Sequence, residues 1–147
     1  KYAYQDGGGW HIEIVDDSGG IGNSMQLDGS GYPHISYVGN GLMYAYLDAS
    51  GWYTQSVDIS SPGKTSLALD NAGYPHISYV SYGLRYAYQD ATGWYTQTVD
   101  SAPNVGNFNS LALDSDGHPH ISYTSIYCDN GCFSIQLNYA YWDGSAE

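Results

Sequence analysis

The motif Tyr-Ala-Tyr-x-Asp occurs four times in this chain, beginning at Tyr2, Tyr44, Tyr86 and Tyr139. The first three copies are 42 residues apart, and the last follows after a further 53 residues. A Gly-Trp pair recurs with the same period of 42, and Pro-His-Ile-Ser-Tyr occurs three times. A fixed period of this length indicates a repeat protein, in which each unit buries its faces against its neighbours.

One period contains four short segments with strand character, predicted at 66–70, 74–80, 84–89 and 94–99. Side chains alternate in type along the third segment, as they do in a half-buried strand. Gly-containing loops separate the first segment from the second and the third from the fourth, which is typical of β-hairpins. Tyr and Trp, which favour strands, number 17 and 4. Since helical periodicity is nearly absent, we predict an all-β fold.

Four strands in roughly 40–45 residues match the size of a β-propeller blade. We expect about three four-stranded antiparallel blades in one domain, residues 1–147. Within it, a partial first blade spans 1–22, and the repeats span about 23–63, 64–106 and 107–147. A solenoid or another open β-array is the structural alternative.

About three blades are too few for a closed propeller, because propellers close with roughly four to eight. We therefore expect the ring to be completed by another chain or by oligomerisation. A six-bladed homodimer, a longer parent chain and a filament formed by strand exchange all remain open, since unpaired strand edges favour such pairing. The residues expected at the assembly surface are Tyr2, Tyr4, Trp10, Tyr139 and Tyr141.

The charge of the chain argues against two classes of partner. Asp and Glu number 15 against three Lys and Arg, which gives a net charge of −12. A protein that binds phosphates needs a basic surface, so we expect no nucleic-acid partner. Anionic membrane surfaces are disfavoured for the same reason, and no run of 18 apolar residues predicts membrane insertion. Most Asp residues lie beside Gly, Ser or Asn, where turn formation explains them.

The two cysteines flank an Asp-Asn-Gly turn, as Cys128 and Cys132. We predict a disulfide across this hairpin, which would indicate an extracellular or cell-surface location. Because the loop that it closes is small, the bond would fix a loop rather than stabilise the fold. A pair of reduced thiols is the alternative, and a metal site is disfavoured because two thiols alone are an incomplete ligand set.

Carboxylates and histidines offer two candidate metal sites. Asp114 and Asp116 resemble the start of a calcium loop, but the distal Glu of such loops is missing, so a simple turn is favoured. Calcium is the only cofactor that the sequence suggests. One repeated position is occupied by His34, His76 and His120. Arranged in a ring, these histidines could bind a metal ion on a common axis. We favour a packing role, because a repeated residue first reflects architecture.

Two features of the last repeat break the symmetry. His118 stands where the other repeats have Tyr32 and Tyr74. The connection through 124–137 is about nine residues longer than its counterparts, and it carries the cysteine hairpin. We interpret this connection as an interaction element, with a tolerated loop insertion as the alternative.

The motifs Leu-Asp-x-x-Gly-Tyr-Pro-His-Ile-Ser-Tyr and Leu-x-Tyr-Ala-Tyr-x-Asp-x-x-Gly-Trp resemble the blade repeats of bacterial and archaeal extracellular β-propellers. They are most similar to sialidase-like and fucose-lectin-like propellers, and the resemblance covers essentially the whole chain. The Asp-x-x-Gly-Trp turn is similar to the Asp-box hairpin of sialidase-like propellers, which is structural there. The resemblance implies a propeller architecture outside the cell.

The departures from these families limit what the resemblance implies about activity. Sialidases hold a carboxylate with several arginines, whereas this chain has only Arg85, so sialidase activity is not expected. Fucose lectins of this shape place Arg and Glu between blades. Here Arg85 corresponds to Met43, and Glu13 corresponds to Gln55 and Gln97, so that site is not repeated.

We predict a non-catalytic extracellular module for structure, for assembly into rings or filaments, or for protein interaction. No nucleophile, acid–base pair or phosphate loop stands out, so an enzyme is not expected. The alternative is a carbohydrate-binding lectin, because aromatic faces between blades suit sugar rings. Packing between blades is the competing explanation for the same aromatic residues. The candidate glycan-binding residues are Trp10, Trp52, Trp94, Tyr53, Tyr95, Gln55 and Gln97.

Overall fold

A computed structural model describes residues 1–60, 62–129 and 132–144, and the side chains of 128–133 lie outside that description. The described chain contains thirteen strands and no helix. The strands are β1 (Tyr2–Asp6), β2 (Gly9–Glu13), β3 (Ile21–Leu27), β4 (Pro33–Gly39), β5 (Gly41–Asp48), β6 (Gly51–Asp58), β7 (Thr65–Leu69), β8 (Pro75–Val80), β9 (Leu84–Asp90), β10 (Gly93–Asp100), β11 (Val105–Leu113), β12 (Pro119–Asp129) and β13 (Cys132–Tyr141).

The strands form four antiparallel sheets in chain order. The first sheet is β1–β2, the second β3–β6, the third β7–β10 and the fourth β11–β13. Within each sheet every strand pairs with the next one along the chain, so the first sheet is a hairpin and the other three are meanders. The predicted all-β class and the four-stranded sheets are confirmed, whereas the propeller ring stays a prediction.

The strand bounds agree with the sequence-based prediction to within one residue in the third sheet. The predicted segment 94–99 corresponds to β10 (Gly93–Asp100), for example. The repeat boundaries differ slightly, because β3 begins at Ile21 and β11 at Val105, each two residues before the predicted boundary. No helix that could cross a membrane occurs in the described part of the chain.

The loop between the first two strands of each full repeat is held by one aspartate. Asp70 Oδ1 accepts hydrogen bonds from the backbone N–H groups of Ala72 and Tyr74, both at 2.8 Å. Gly73 completes this loop with a φ of +86°, a conformation that residues with a Cβ rarely adopt. Asp28 and Asp114 make the same pair of bonds in their repeats. The repeated Leu-Asp motif therefore encodes a tight turn.

The hydrophobic core lies between sheets rather than within any one of them. Leu42 and Tyr44 of the second sheet are buried with Leu67 and Ile77 of the third. A second cluster joins Leu84, with its neighbours in the third sheet, to the fourth sheet. A four-stranded sheet alone exposes both of its faces, so this stacking supplies most of the burial that stabilises the chain.

Candidate functional site

The contacts between consecutive sheets repeat from one pair of sheets to the next, and they define the surface with the clearest functional meaning. Trp52 in β6 donates its indole Nε1–H to Oε2 of Glu13 in β2, at 2.8 Å. Trp94 in β10 likewise donates to Oε1 of Gln55 in β6, at 2.9 Å. In both cases the last strand of one sheet, here called its outer strand, contacts the outer strand of the sheet before it.

Each of these indoles also packs edge-on against a tyrosine of the preceding sheet. The ring centroids of Trp52 and Tyr2 are 5.5 Å apart with an interplanar angle of 68°, and those of Trp94 and Tyr44 are 5.3 Å apart at 70°. Such edge-to-face pairs are favourable beyond the area that they bury. Three of the candidate glycan-binding residues, Trp52, Trp94 and Gln55, are therefore engaged in contacts between sheets.

A second repeated contact joins a buried tyrosine to an aspartate at the end of the previous outer strand. Tyr79 donates to Asp58 Oδ2 at 2.5 Å, and Tyr123 donates to Asp100 Oδ2 at 2.9 Å. Tyr37 makes the equivalent bond to Asp16. Burial and the bond to Asp100 raise the pKa of Tyr123 to about 12. Each phenol therefore stays protonated and serves as a donor to the preceding sheet.

The pKa values of Asp16 and Asp58 are lowered, which favours the charged state of both carboxyl groups. The hydrogen bond from Tyr37 lowers the pKa of Asp16 below its ordinary value. Burial acts to raise the pKa of Asp58, but hydrogen bonds from Tyr79 and Ser60 outweigh it and the pKa is lowered. Sequence reasoning missed these carboxylates, although Asp16, Asp58 and Asp100 recur with the period of 42.

A third set of contacts involves the first strands of the second, third and fourth sheets. The backbone N–H of Leu67 donates to Ser24 Oγ, and that of Leu111 donates to Ser66 Oγ, both at 3.0 Å. The hydroxyls of Ser36 and Thr65 also meet across the same junction, at 2.8 Å. The second and third sheets thus each offer a serine acceptor to the sheet that follows.

The single arginine belongs to this packing. Arg85 Nε lies 3.8 Å from Asp58 Oδ2, and the guanidinium is 5.9 Å from the centre of the Tyr79 ring. Its charge faces the carboxylate that Tyr79 also binds. Arg85 therefore stabilises the junction between the second and third sheets.

The fourth sheet, and the second sheet where it follows the two-stranded first sheet, expose residues whose equivalents are buried between complete sheets. Tyr44 and Tyr86 are 2% and 4% exposed, but the equivalent Tyr139 in β13 is 60% exposed. Leu67 is 1% exposed, whereas the equivalent Met25 in β3 is 47% exposed. The fourth sheet at Tyr139 and the second sheet at Met25 therefore present opposite halves of one interface, and at Met25 the two-stranded first sheet covers that interface incompletely.

Beside β13, the fourth sheet has no fourth strand among the described residues. A cavity of about 650 Å³ lies next to this open edge, between the third and fourth sheets. Tyr86 and Gln97 line it from the third sheet, and Tyr139, Tyr141 and Trp142 line it from the fourth. Gln97 is the counterpart of Gln55, but its side chain has no hydrogen-bond partner within the described chain. The expected assembly residues Tyr139 and Tyr141 thus lie at an unfilled position.

The other expected assembly residues lie in the first sheet. Trp10 in β2 is 70% exposed, and its indole donates to no group in the described part of the chain. Tyr2 and Tyr4 stack on each other with ring centroids 5.5 Å apart, and Tyr4 also stacks on His11 at 4.8 Å. Tyr53 and Tyr95, the remaining glycan candidates, stack on tyrosines of their own sheets.

The repeated histidines are bonded within their own sheets. His34 and His76 share hydrogen bonds with the hydroxyls of Tyr44 and Tyr86, respectively. Burial lowers the pKa of both imidazoles, so they are neutral at pH 7. His120 makes the same bond to Tyr139. This arrangement is the packing role that the repeat indicated.

Asp114, Asp116 and His118 place potential ligand atoms within 4.8 Å of one another, and they are the one such group in the described residues. The local turn explains this group. Asp114 Oδ1 accepts the backbone N–H groups of Asp116 and His118, at 2.9 and 2.8 Å. Asp114 Oδ2 faces the rings of His118 and His120, at 3.3 and 3.6 Å. The calcium suggestion stays a prediction.

The predicted disulfide lies outside the described residues, because the side chains of 128–133 are not described. The backbone pairing of this hairpin is described, and it sets Cys128 opposite Phe133 and Cys132 opposite Asp129. The two cysteines are therefore not directly opposed in the ladder. The long connection forms an extension of β12 and β13, since Tyr127 pairs with Ser134.

No protein-family model matches the chain, and no curated protein matches it. The resemblance to extracellular propellers therefore rests on the repeated motifs alone.

Proposed function

We propose that this chain is a non-catalytic β-propeller module of the extracellular space or cell surface, whose role is to assemble with further blades by face-to-face stacking of sheets. The observation that carries the proposal is the exposure of Tyr139 and Met25. Their equivalents Tyr86 and Leu67 are almost fully buried between sheets. Large apolar side chains that are exposed where their equivalents are buried indicate an interaction surface.

The two exposed ends complement each other. Ser24 and Ser66 accept backbone N–H groups from the following sheet, and Ser110 occupies the same position in the fourth sheet without such a donor within the described chain. Met25 is the counterpart of Leu67 and Leu111, whose N–H groups make those bonds. A head-to-tail contact between copies would bring Met25 N–H to Ser110. Contacts of this type are heterologous, so they generate rings when the rotation closes and filaments when it does not.

The charge of the chain affects this assembly. Copies that each carry a net charge of −12 repel one another. Salt screens this repulsion, with a Debye length of about 10 Å at 0.1 M. Assembly through an apolar interface should therefore strengthen as ionic strength rises, the reverse of association between opposite charges.

Light scattering coupled to size exclusion tests the proposal. We expect the wild-type chain to assemble in a concentration-dependent way, more strongly at 0.3 M than at about 0.02 M salt. Tyr139→Asp and Met25→Asp should each abolish the larger species. Tyr82→Asp is the control, because Tyr82 is 94% exposed on a loop away from both ends. A wild-type chain that stays monomeric at every concentration and salt would overturn the proposal.

Carbohydrate binding is the second candidate function, and one specific cavity favours it. A space of about 310 Å³ between the third and fourth sheets is lined by the aromatic rings of Tyr88 and Trp142 and by polar Gln97 and His118. Trp142 and His118 both occur only in the last repeat, and they offer a stacking face and a hydrogen-bonding group. A glycan array followed by titration tests this candidate. No binding at millimolar sugar would exclude it.

A further inference from the structure

We propose that the open edge of the fourth sheet takes strand β2 of a second copy, with Trp10 of that copy entering the cavity against Tyr86 and donating to Gln97. This inference rests on the proposed assembly function and specifies the strand and the contact that carry it.

The preceding junctions show what the cavity lacks. At each of them an outer strand supplies a tryptophan that packs edge-on against a tyrosine and donates to a Glu or Gln side chain. Trp52 packs against Tyr2 and donates to Glu13. Trp94 packs against Tyr44 and donates to Gln55. At the next junction Tyr86 and Gln97 line the cavity of about 650 Å³, and no tryptophan of an outer strand reaches them in the described chain. The missing component is therefore an outer strand with a tryptophan at its start.

Strand β2 has the features that this position requires. It begins Gly9-Trp10, as β6 begins Gly51-Trp52 and β10 begins Gly93-Trp94. The indole of Trp10 is the exposed one of this series, at 70%. Transfer of its ring into the cavity removes apolar surface from water and gives its N–H an acceptor.

In the exchange, β13 of one copy replaces β1 as the pairing partner of β2 and offers it the same residue types. In the first sheet β1 faces β2, with Ala3 opposite Ile12 and Tyr4 opposite His11. Strand β13 carries Tyr-Ala-Tyr at Tyr139 to Tyr141 and would present Ala140 to Ile12. Since β1 has only five residues, β2 gives up a short ladder, and Tyr139 to Tyr141 of β13 offer strand backbone in the places of Tyr2 to Tyr4.

The neighbouring contacts of β2 would survive the exchange. Glu13 stays in β2 and still accepts from Trp52 of its own copy. Tyr139 of the receiving copy takes the position of Tyr2, where Trp52 packs against it. Each copy then contributes two complete sheets, and reciprocal exchange between two copies adds two composite sheets, which gives six blades. Six is within the range in which propellers close.

A reversible lock on the first sheet tests the exchange. Ala3 and Ile12 are directly paired, so Ala3→Cys with Ile12→Cys can form a disulfide within one chain that holds β1 on β2. The background carries Cys128→Ser and Cys132→Ser. We expect the oxidised double variant to be monomeric by light scattering, and a reductant to restore the assembly. The unlocked background, with and without oxidant, is the matched control.

A cross-link measures the predicted register. A chain with Ile12→Cys mixed with a chain with Ala140→Cys should give a covalent heterodimer on a non-reducing gel. Ala3→Cys mixed with Ala140→Cys should give at least tenfold less, because β1 does not face β13. Trp10→Ala should weaken the assembly at least tenfold, and Gln97→Leu should weaken it less.

The outcomes separate this inference from the proposed function. If the locked chain assembles as well as the unlocked one and no Ile12–Ala140 cross-link forms, β2 is not exchanged, while assembly by stacking of sheet faces still stands. If the unlocked chain is monomeric under all conditions, both proposals fail. A monomer whose Trp142 fluorescence responds to sugars would instead assign the cavity to carbohydrate.

Discussion

The indole of Trp94 donates to the side chain of Gln55 at 2.9 Å and so joins the outer strands of two consecutive sheets. These two residues are 39 positions apart, and Trp52 and Glu13 repeat the bond at the same separation. The contact is therefore a property of the repeat. It links sheets that share no ladder hydrogen bonds.

Loss of this bond should destabilise the stack measurably. We expect Trp94→Phe, which keeps an aromatic ring but removes the donor, to lower the free energy of unfolding by about 1 kcal/mol. Urea denaturation measures it. The matched change is Gln55→Leu, and the double variant should lose less than the sum of the two single changes. Fully additive losses would show that the two side chains do not interact.

Tyr79 should contribute more to the free energy of unfolding than Trp94 does, because it donates to a charged carboxylate that is little exposed. The Asp58 side chain is 15% exposed and accepts from the phenol at 2.5 Å. Tyr79→Phe should lower the free energy of unfolding by about 1.5–3 kcal/mol, the usual range for hydrogen bonds to charged groups. Tyr82→Phe is the control, since Tyr82 is 94% exposed, and it should change little. Equal effects of the two substitutions would contradict the role of the Tyr79–Asp58 bond.

The buried histidines should make the chain sensitive to mild acid. Burial lowers the pKa of His34 and His76 below the ordinary value of 6.5. The unfolded chain therefore takes up protons near pH 6.5 while the folded chain does not, so stability falls as the pH falls below 6.5. Chemical denaturation between pH 7.5 and about 5, above the range of ordinary carboxylates, measures the slope. His34→Gln with His76→Gln should flatten it, and stability that rises toward pH 5 would refute the assignment.

Gly83 should tolerate no side chain. Its φ is +134°, and a Cβ would lie 2.3 Å from the backbone oxygen of Asp100. Gly93 has a similar φ of +142° with open space around its Cβ position. Gly93→Ala should cost about 1–3 kcal/mol from backbone strain, and Gly83→Ala should cost more because the clash adds to the strain. Thermal unfolding of the two variants compares them directly. A smaller loss for Gly83→Ala would mean that the β8–β9 turn shifts at little cost.

The sequence was sufficient to predict the strands, because their alternation and their glycine turns are local. Strand β10, for example, begins at Gly93, one residue before its predicted start. The turn at Asp70 was also predictable, since one side chain and its own backbone form it. The predicted assembly residues Trp10, Tyr139 and Tyr141 are exposed at the ends of the stack.

The partners across each junction could not be read from the sequence. The period shows that Trp52 and Trp94 are equivalent, but it does not tell which side chain of the neighbouring sheet each one meets. That depends on how the twisted sheets stack. The same limit hid the bond of Tyr79 to Asp58, because Asp at the end of a strand is usually a turn residue. Gln55 looked like a free polar group for the same reason, and it accepts from an indole instead.

The serine and tryptophan contacts that join the sheets connect positions about one period apart, 43 residues for Leu67 and Ser24 and 39 residues for Trp94 and Gln55. Each period therefore encodes both a donor for the sheet before it and an acceptor for the sheet after it. A tandem duplication of one 42-residue segment in the gene would insert a unit that already matches both of its neighbours. Copy number in such a lineage can thus change in whole steps, without a new interface having to arise by point mutation.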